Sequence, residues 1–370
     1  MSVFPELPLV SVIIPCRNEV RFLGPCLDAI LTGDYPAGRM EVLIADGEST
    51  DGTTELIEAY AARDARVRRI PNPERITPAA LNLAIGAARG EIIARVDAHS
   101  AVALDYIRRC VELLDSSGAD NAGGVMRTVA QDPGWCAEAI VAALSHRFGV
   151  GNSYFRIGAG EPRWVDTVFG GCWRREIFDR IGLFHPDLER SQDMEFSLRL
   201  KAAGGRTMLS PAIRSDYFAR TRFTDFVRHN FRNGEWAIVP FVHCANIPVS
   251  QRHLIPLFFV LALMTAAALA PWTAMPWQAV GLPYTLANVT ASLDAAFRRR
   301  RPSLAVAAPL IFLTLHLSYG LGSISGIVRA SGILLRRWRA SGAHLAAAGP
   351  PPGKVRAQSA GSSRLPSQDQ

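Results

Sequence analysis

Residues 77–100 read TPAALNLAIGAARGEIIARVDAHS, and this stretch predicts how the first half of the chain folds. A threonine followed by a proline starts a helix well, and the helical pattern runs to residue 88 before Gly90 ends it. Residues 91–96 are a short and mostly apolar run, which is typical of a buried strand. The stretch therefore predicts a helix and then a strand, with Asp97 directly after the carboxyl end of the strand.

The same alternation is found earlier in the chain. Apolar runs at residues 10–15 (VSVIIP), 41–45 (EVLIA) and 67–70 predict three more strands, with helices between them. Strands that alternate with helices indicate an α/β fold, with a mostly parallel sheet covered by helices on both faces. Ligands of such sheets bind beyond the carboxyl ends of the strands. The predicted crevice is therefore polar and acidic, and it is formed by residues 17–19, 46–48 and 97–99.

Asp97 and His99 form the first pair of possible ligands. A carboxylate with a nitrogen or oxygen ligand two positions further on suits a hard divalent cation, which can bridge the phosphates of a bound nucleotide. Two side chains do not complete a metal site, so a diphosphate and water would supply the other ligands. The alternative is that Asp97 caps the next helix, and the spacing does not decide between the two roles.

Two more aspartates follow the second predicted strand. Asp46 ends the strand, and Asp51 lies where the next helix begins. Carboxylates at these positions can accept hydrogen bonds from a base or from a ribose hydroxyl. We interpret Asp46 as a ligand contact because it lies at a strand end, whereas an ordinary helix cap fits Asp51 better.

Gln192 and Asp193 begin another predicted helix. The helix macrodipole favours an ionised carboxylate at this end, and a general base must be ionised before it takes a proton. A simple capping role is the alternative for Asp193. Upstream, Gly170 and Gly171 can let the backbone approach a ligand closely, or they can form a turn before the helix predicted at residues 174–181.

Taken together, these segments resemble glycosyltransferase family 2, whose members have the nucleotide-binding GT-A fold and invert the configuration of the sugar they transfer. Each motif alone is weak, but five of them occur in the family's order and spacing between residues 10 and 210. They are VSVIIPCRNE (10–19), IADGESTDGT (44–53), TPAALNLAIGAARGEIIARVDAHS (77–100), FGGCWRREIFDRIGLFHPDL (169–188) and SQDMEFSLRLKAAG (191–204).

The resemblance implies roles for individual residues. Asp193 would be the general base, and Asp97 with His99 would hold Mg²⁺ or Mn²⁺ on the diphosphate of a nucleotide-sugar donor, a UDP-sugar. Further donor contacts are implied for Pro15, Asn18, Glu19, Asp46, Asp51, Asn82 and Asp97. Acceptor contacts are implied for Gly170, Gly171, Arg174, Gln192 and Trp236.

The chain departs from the family pattern at two places. His99 stands where the family usually has a second aspartate, so the metal preference can differ. Residues 232–236 (RNGEW) match the Gln-x-x-Arg-Trp motif of processive synthases only at Trp236, which favours transfer of a single sugar. A processive polysaccharide synthase, a polyprenyl-phosphate glycosyltransferase and a non-enzymatic membrane protein are the alternatives. Within the family, the chain is similar to the succinoglycan glucosyltransferases, which act in exopolysaccharide assembly on polyprenyl-diphosphate-linked acceptors.

The C-terminal part of the chain predicts membrane attachment. Residues 254–293 contain no Asp, Glu, Lys, Arg or His, and in residues 302–328 only His316 titrates near neutral pH. About 20 apolar residues cross a bilayer core, so the first segment can form two spans and the second segment one. Two spans would return the chain to the cytoplasm at the basic residues 298–301, in agreement with the positive-inside rule.

A third span at residues 304–328 would conflict with that rule, because it would place the arginines after residue 335 outside the cytoplasm. Either this segment is re-entrant or interfacial, or the first apolar block is divided differently. The sequence leaves both possibilities open.

Composition limits the partners. The 370-residue chain has a formal net charge of +7 at pH 7, and the excess lies beside the apolar segments, where basic residues attract anionic lipids. No basic patch with aromatic platforms indicates nucleic-acid binding, so we expect no nucleic-acid partner. The six cysteines include no CxxC pair, which argues against a zinc site.

These features predict three regions. A GT-A domain occupies residues 1–250, a membrane region with two to three apolar helices occupies residues 251–335, and a basic and then disordered tail occupies residues 336–370. Because nucleotide sugars are cytosolic, we expect the catalytic domain on the cytoplasmic side of the inner membrane. The nearby membrane region favours a lipid-linked saccharide as acceptor of a hexose such as glucose.

Overall fold

A computed structural model describes residues 6–244 and 250–347, with side chains as far as residue 339. The chain divides into two compact units, residues 1–330 and residues 331–370. In the second unit, the described residues belong to the C-terminal part of one long helix.

A nine-stranded sheet forms the centre of the first unit. Its strands are β1 (Val10–Cys16), β2 (Met40–Asp46), β3 (Val67–Pro71), β4 (Ile92–Arg95), β5 (Ser100–Val102), β6 (Asn121–Ala130), β7 (Arg163–Val165), β8 (Cys172–Arg174) and β9 (Thr207–Ala219). They are ordered β3-β2-β1-β4-β8-β6-β9-β5, and β7 pairs with β9 outside this order.

The first four strands confirm the sequence prediction. β3, β2, β1 and β4 pair in parallel, and Val10 lies opposite both Met40 and Ile92. β2 and β4 are buried along their whole length and β1 along nearly all of it, as expected for central parallel strands made of apolar residues. Their carboxyl ends meet at one edge of the sheet, which brings residues 17–19 close to residues 97–99.

The other half of the sheet is mixed, whereas the sequence predicted a mostly parallel sheet. β8 runs antiparallel to both β4 and β6, while β6 and β9 pair in parallel. Gly170 and Gly171 lead into β8 with φ angles of 68° and 107°. A Cβ atom on Gly170 would lie 2.6 Å from the carbonyl oxygen of Arg95, so this approach requires glycine. The reversal depends on this turn, which the alternation of strands and helices does not encode.

Helices cover both faces of the sheet. They are α1 (Val20–Leu31), α2 (Thr53–Arg63), α3 (Thr77–Ala87), α4 (Tyr106–Ser117), α5 (Trp135–Leu144), α6 (Arg147–Val150), α7 (Tyr154–Ile157), α8 (Glu176–Ile181), α9 (Gln192–Ala202) and α10 (Phe223–Glu235). On one face, Ile14 packs in a core with Leu27 of α1 and residues of α4. On the other face, Ile13 packs in a core with Leu81 of α3 and Phe196 of α9. The sheet is therefore enclosed by two apolar layers.

Three helices follow in the C-terminal region: α11 (Ile255–Leu269), α12 (Met275–Arg299) and α13 (Leu304–Ala347). Within the described residues, two segments are long and apolar enough to cross a membrane, Gln251–Leu269 and Leu304–Arg339. Large apolar side chains such as Phe258, Met264 and Trp272 are exposed on this region. Exposed apolar surface of this extent favours apolar surroundings over water.

The first part of α13, which belongs to the first unit, contacts other helices of that unit at both of its ends. Leu304 shares an apolar cluster with Ile140 of α5. Arg329 forms an ion pair with Glu235 of α10 at 3.3 Å. A helix rises 1.5 Å per residue, so residues 304–329 extend for roughly 38 Å. This stretch therefore lies along α5 and α10 instead of leading away from them.

α10 and α13 cross at two glycines. A Cβ atom on Gly322 would lie 1.9 Å from the carbonyl oxygen of Phe231, and a Cβ atom on Gly234 would lie 1.9 Å from that of Tyr319. The two backbones are therefore in direct contact, as in the small-residue crossings of membrane helices.

We expect Gly322→Ala to lower the stability of the detergent-solubilised protein by about 1–3 kcal/mol, because α10 and α13 must separate to admit the methyl group. The loss of stability is measured from the melting temperature, with thermal unfolding monitored by circular dichroism. Gly332→Ala, on the same helix, is the matched control: the nearest atom to its Cβ position is 4.0 Å away, and alanine favours a helix over glycine. Equal melting temperatures for Gly322→Ala and the wild-type protein would contradict this packing.

Candidate active site

A cavity of about 1580 Å³ lies at the carboxyl ends of β1 and β4 and at the start of α9. The sequence predicted a ligand site beyond the carboxyl ends of the parallel strands, and part of the cavity wall lies there. The predicted site residues that line the cavity are Pro15, Asn18, Glu19, Asp51, Asp97, His99, Gln192 and Asp193.

Asp97 lies beside a buried arginine. Arg95 Nε donates to Asp97 Oδ1 at 2.9 Å, and the two side chains are 8% and 15% exposed. Burial raises the pKa of Asp97, but the positive charges of Arg95 and His99 outweigh burial and hold this pKa below its usual value. Asp97 does not cap a helix, because α4 begins only at Tyr106. The structure therefore leaves Asp97 as a charged group on the cavity wall.

His99 and Glu19 join the ends of β4 and β1. His99 Nδ1 lies 3.1 Å from Glu19 Oε1. Burial lowers the pKa of His99, but the hydrogen bond to Glu19 and the charges of Asp97 and Glu19 raise it above its usual value. The imidazole is thus held in one orientation against the cavity.

These side chains fit a divalent cation that also takes ligands from outside the protein. Within residues 6–244 and 250–339, no group of three His, Cys, Asp or Glu side chains could hold a metal ion alone. Asp97 offers a carboxylate, and His99 can offer Nε2 while its Nδ1 contacts Glu19. A carboxylate that orients a metal-ligating imidazole in this way is common at metal sites. A diphosphate and water would supply the other ligands.

Asp193 lies in the first turn of α9, exposed on the cavity wall. The N-cap position belongs to Ser191, so capping does not explain Asp193. Its Oδ1 accepts a hydrogen bond from the backbone N–H of Met194 at 2.8 Å. Burial lowers the pKa of Arg95, but the charges of Asp97 and Asp193 raise it overall. Arg95 therefore couples the two aspartates electrostatically.

Gln192, next to Asp193, presents an unusual acceptor. Its Oε1 is buried and has no hydrogen-bond partner among the residues that the structure describes. A buried polar atom without a partner is destabilising, so this amide is available to a ligand in the cavity.

Asp46 is fully buried and does not line the cavity. Its carboxylate accepts hydrogen bonds from Ser49 Oγ at 2.6 Å, Thr54 Oγ1 at 2.7 Å and Arg69 Nη1 at 3.2 Å. Burial raises the pKa of Asp46, but these hydrogen bonds lower it overall. Asp46 thus orders the turn that carries Asp51. Its contact with a base stays a prediction.

Asp51 lines the cavity and comes directly before Gly52, which is the N-cap residue of α2. Its Oδ1 accepts from the N–H of Thr53 at 3.1 Å, and its Oδ2 accepts from the N–H of Val20 at 3.3 Å. Asn18 Oδ1 accepts from the N–H of Thr50 at 2.9 Å. These contacts hold the turn after β2 against the end of β1.

The remaining predicted residues contact other parts of the protein, and their ligand contacts stay predictions. Asn82 is hydrogen-bonded to the backbone of Phe184, with Nδ2 to O at 2.8 Å and N to Oδ1 at 3.0 Å. Arg174 donates to the Leu114 carbonyl at 3.2 Å. Trp236 is only 4% exposed. These partners are distant in sequence, so the motifs cannot show them. The predicted residues outside the cavity wall are Asp46, Asn82, Gly170, Gly171, Arg174 and Trp236.

Several basic side chains of the cavity wall were not predicted from the sequence. Arg95, Arg156, Arg190 and His229 all line the cavity. Arg95 could have been predicted from the sequence, because an arginine inside an otherwise apolar strand is rarely buried without a partner. The other three come from α7, from the segment before α9 and from α10, which meet only in the folded chain.

Comparison with known proteins identifies the class. Residues 11–182 match the family model described as Glycosyl transferase family 2. This match shows that residues 11–182 form a glycosyltransferase family 2 domain, and the domain has the GT-A fold. The protein is therefore a glycosyltransferase.

Individual relatives extend over more of the chain. Succinoglycan biosynthesis protein ExoA from Rhizobium meliloti (strain 1021) is 29% identical over 84% of this chain and 92% of its own length. Dolichyl N-acetyl-alpha-D-glucosaminyl phosphate 3-beta-D-2,3-diacetamido-2,3-dideoxy-beta-D-glucuronosyltransferase from Methanococcus voltae is 26% identical over 61% of this chain and 71% of its own. The mannosyltransferase PcManGT from Pyrobaculum calidifontis, solved with GDP-Man and Mn²⁺, shares the fold, with a TM-score of 0.57 and 21% identity over 84% of this chain and 88% of its own.

We expect Asp46→Asn to lower the free energy of unfolding at pH 7 by about 1–3 kcal/mol, because a buried charged acceptor is lost. The folded pKa of Asp46 is lowered, so its contribution is complete above the unfolded pKa of about 3.9 and disappears as pH falls through the folded value. The difference in melting temperature between wild type and variant should therefore shrink below about pH 4. Asp132→Asn, at an exposed ion pair, is the control. A difference that stays constant from pH 7 to pH 3 would contradict this role.

Proposed function

We propose that the protein transfers one hexose, glucose or a similar sugar, from a UDP-sugar to a lipid-linked saccharide with inversion at C1. The observation that carries the proposal is a single cavity that contains Asp97 and Asp193 and continues between the apolar helices. The relatives support it, since one is named for succinoglycan biosynthesis and another for action on a dolichyl phosphate-linked sugar. The product would enter an exopolysaccharide or another cell-surface glycan.

Asp193 is the proposed general base. Its carboxylate takes the proton of the acceptor hydroxyl while the hydroxyl oxygen attacks C1 of the donor sugar. The bond between C1 and the diphosphate oxygen breaks in the same step, and its electron pair leaves with the nucleoside diphosphate. Attack from the side opposite the leaving group inverts the configuration at C1.

Asp97 and His99 are proposed to hold Mg²⁺ or Mn²⁺ on the donor diphosphate. A divalent cation here, when bound, neutralises negative charge that develops on the leaving diphosphate. Arg95 fixes the carboxylate of Asp97, and Glu19 fixes the imidazole of His99, through the contacts described above. Both partners act as positioning residues because they hold the ligands in place before the donor binds.

The other end of the cavity suits the apolar part of an acceptor. Its wall there includes Phe259, Tyr284, Ala287 and Leu315, which come from α11, α12 and α13. Phe259 and Tyr284 stack with their ring centroids 4.3 Å apart. A lipid chain attached to a saccharide gains free energy by burying its apolar surface against such a wall. A lipid-linked acceptor therefore explains the apolar wall, which a water-soluble glycan does not need.

We propose that the chain attaches to the cytoplasmic face of the inner membrane, where nucleotide sugars are available. α11 and α12 would enter the bilayer as a hairpin, with the exposed Trp272 and Met275 at its tip. The first part of α13 would lie along the interface, because Leu304 contacts α5 and Arg329 contacts α10. This arrangement keeps the arginines after residue 330 in the cytoplasm and agrees with the positive-inside rule.

We expect Asp193→Asn to lower kcat by about 10²–10⁴-fold, because the acceptor hydroxyl loses its base. Donor affinity, measured by titration calorimetry, should stay close to that of the wild-type enzyme. Asp179→Asn is the matched control, since Asp179 is exposed on α8 and lies outside the cavity. Wild-type turnover in the Asp193→Asn enzyme would show that another group removes the proton.

We expect the C-terminus to lie on the same side of the membrane as the catalytic domain, because α13 is proposed to lie along the interface. Green fluorescent protein fused after residue 370 should then fluoresce in bacterial cells, and alkaline phosphatase fused there should be inactive. The same reporters fused after residue 250, before the apolar helices, serve as controls. An active phosphatase and a dark fluorescent protein at residue 370 would show that α13 crosses the membrane.

A further inference from the structure

One side of the cavity carries three arginines that the proposed reaction does not use. Arg156 is on α7, Arg190 precedes α9 and Arg220 follows β9, and all three line the cavity. We call these three residues the cationic wall. His229 of α10 lines the same cavity. Burial lowers the pKa of His229, and the charges of the three arginines lower it further, to about 3. This histidine therefore stays neutral and adds no positive charge.

The cationic wall lacks an anionic partner. Among the residues that the structure describes, none of its guanidinium groups forms an ion pair, whereas Arg95 in the same cavity pairs with Asp97. Arg190 Nη1 donates to the neutral amide of Asn233 at 3.1 Å. Arg156 Nη1 is buried without any hydrogen-bond partner. A buried cationic donor without a partner is destabilising, which indicates that a ligand supplies the missing anion.

The cationic wall lies on the side of the cavity where the acceptor must bind. Arg156 is within reach of the charge of Asp193, and Arg190 is three residues before it in the chain. Asp193 is the group proposed to take the proton of the acceptor hydroxyl. The proposed donor ligand His99 lies nearby, because the ring of Tyr217 is 5.2 Å from the His99 ring and 5.6 Å from the guanidinium of Arg156.

The cationic wall also adjoins the apolar end of the cavity. Phe226, one turn before His229 on α10, packs with Ala291 and Leu315 in the cluster formed with α12 and α13. The cavity continues from α10 to residues of these helices. A ligand whose anionic group contacts the arginines can therefore extend an apolar chain between the helices. The structure thus fits an amphiphile with an anionic head better than a free anion.

We propose that the cationic wall binds the phosphate group of the lipid-linked acceptor, a polyprenyl phosphate or diphosphate that carries the saccharide. This inference rests on the proposed function and adds the residues that recognise the acceptor. Arginine suits the role, because its planar guanidinium binds two phosphate oxygens at once. The saccharide extends from the phosphate towards Asp193, and the polyprenyl chain lies against the residues of α11 and α12.

Direct binding of farnesyl diphosphate to the full-length protein in detergent micelles tests this, measured by titration calorimetry in EDTA. EDTA removes divalent cations, so the site at Asp97 and His99 does not hold the diphosphate. We expect farnesyl diphosphate to bind at least about tenfold more tightly than farnesol or inorganic pyrophosphate. Arg156→Gln and Arg190→Gln should each weaken its binding by about tenfold.

Arg228→Gln is the matched control, because Arg228 is an exposed arginine of α10 that pairs with Asp225. Binding of a nucleoside diphosphate with Mn²⁺ should be unchanged in all variants, which also shows that they are folded. Arg190→Lys provides a second variant, expected to retain part of the affinity because it keeps the charge without the planar fork.

Wild-type affinity for farnesyl diphosphate in both glutamine variants would overturn the proposal. Equal affinities for pyrophosphate and farnesyl diphosphate would also overturn it, because the lipid chain would then contribute nothing to binding. If the variants lost affinity only for the nucleoside diphosphate, these arginines would belong to the donor site, and the proposal would be wrong. No sugar is transferred in this assay. A protein that binds farnesyl diphosphate but never transfers sugar would therefore refute the proposed function and leave this inference intact.

Discussion

The site depends on the ion pair between the buried guanidinium of Arg95 and Asp97. The guanidinium donates to Asp97 at the end of β4, and its charge interacts with that of Asp193 on α9. Without the carboxylates a buried arginine would be strongly destabilising. The charge of Arg95 thus acts both on Asp97, at the predicted nucleotide site, and on Asp193, the proposed base.

The alternation of apolar runs and helical segments correctly predicted the parallel half of the sheet. The strands that end at Cys16, Asp46 and Arg95 are short apolar runs, and parallel pairing brings their ends to one edge. Asp97 and His99 could therefore be placed from the sequence. Asp193 was assigned from the family resemblance, and the structure brings it to the same cavity.

The rest of the structure depends on partners that are distant in sequence. Trp236 matched a motif, yet α13 covers it, and Arg329 lies 4.9 Å from its ring centroid. The antiparallel β8 depends on two glycines that meet the backbone of Arg95. The segment after residue 302 has the composition of a span, but its contacts with α5 and α10 decide how it lies. Composition reports what surrounds a helix and not which neighbour it packs against.

A cryo-EM map of the full-length protein in lipid nanodiscs with a nucleoside diphosphate and Mn²⁺ would show where the two substrates bind. Donor and lipid-linked acceptor are proposed to meet in one cavity. We predict nucleotide density beside Asp97 and His99, with Asp193 facing the space next to the diphosphate, and elongated lipid density that enters the same cavity between the apolar helices. Nucleotide density elsewhere on the sheet, or lipid confined to the outer surface of those helices, would contradict the account.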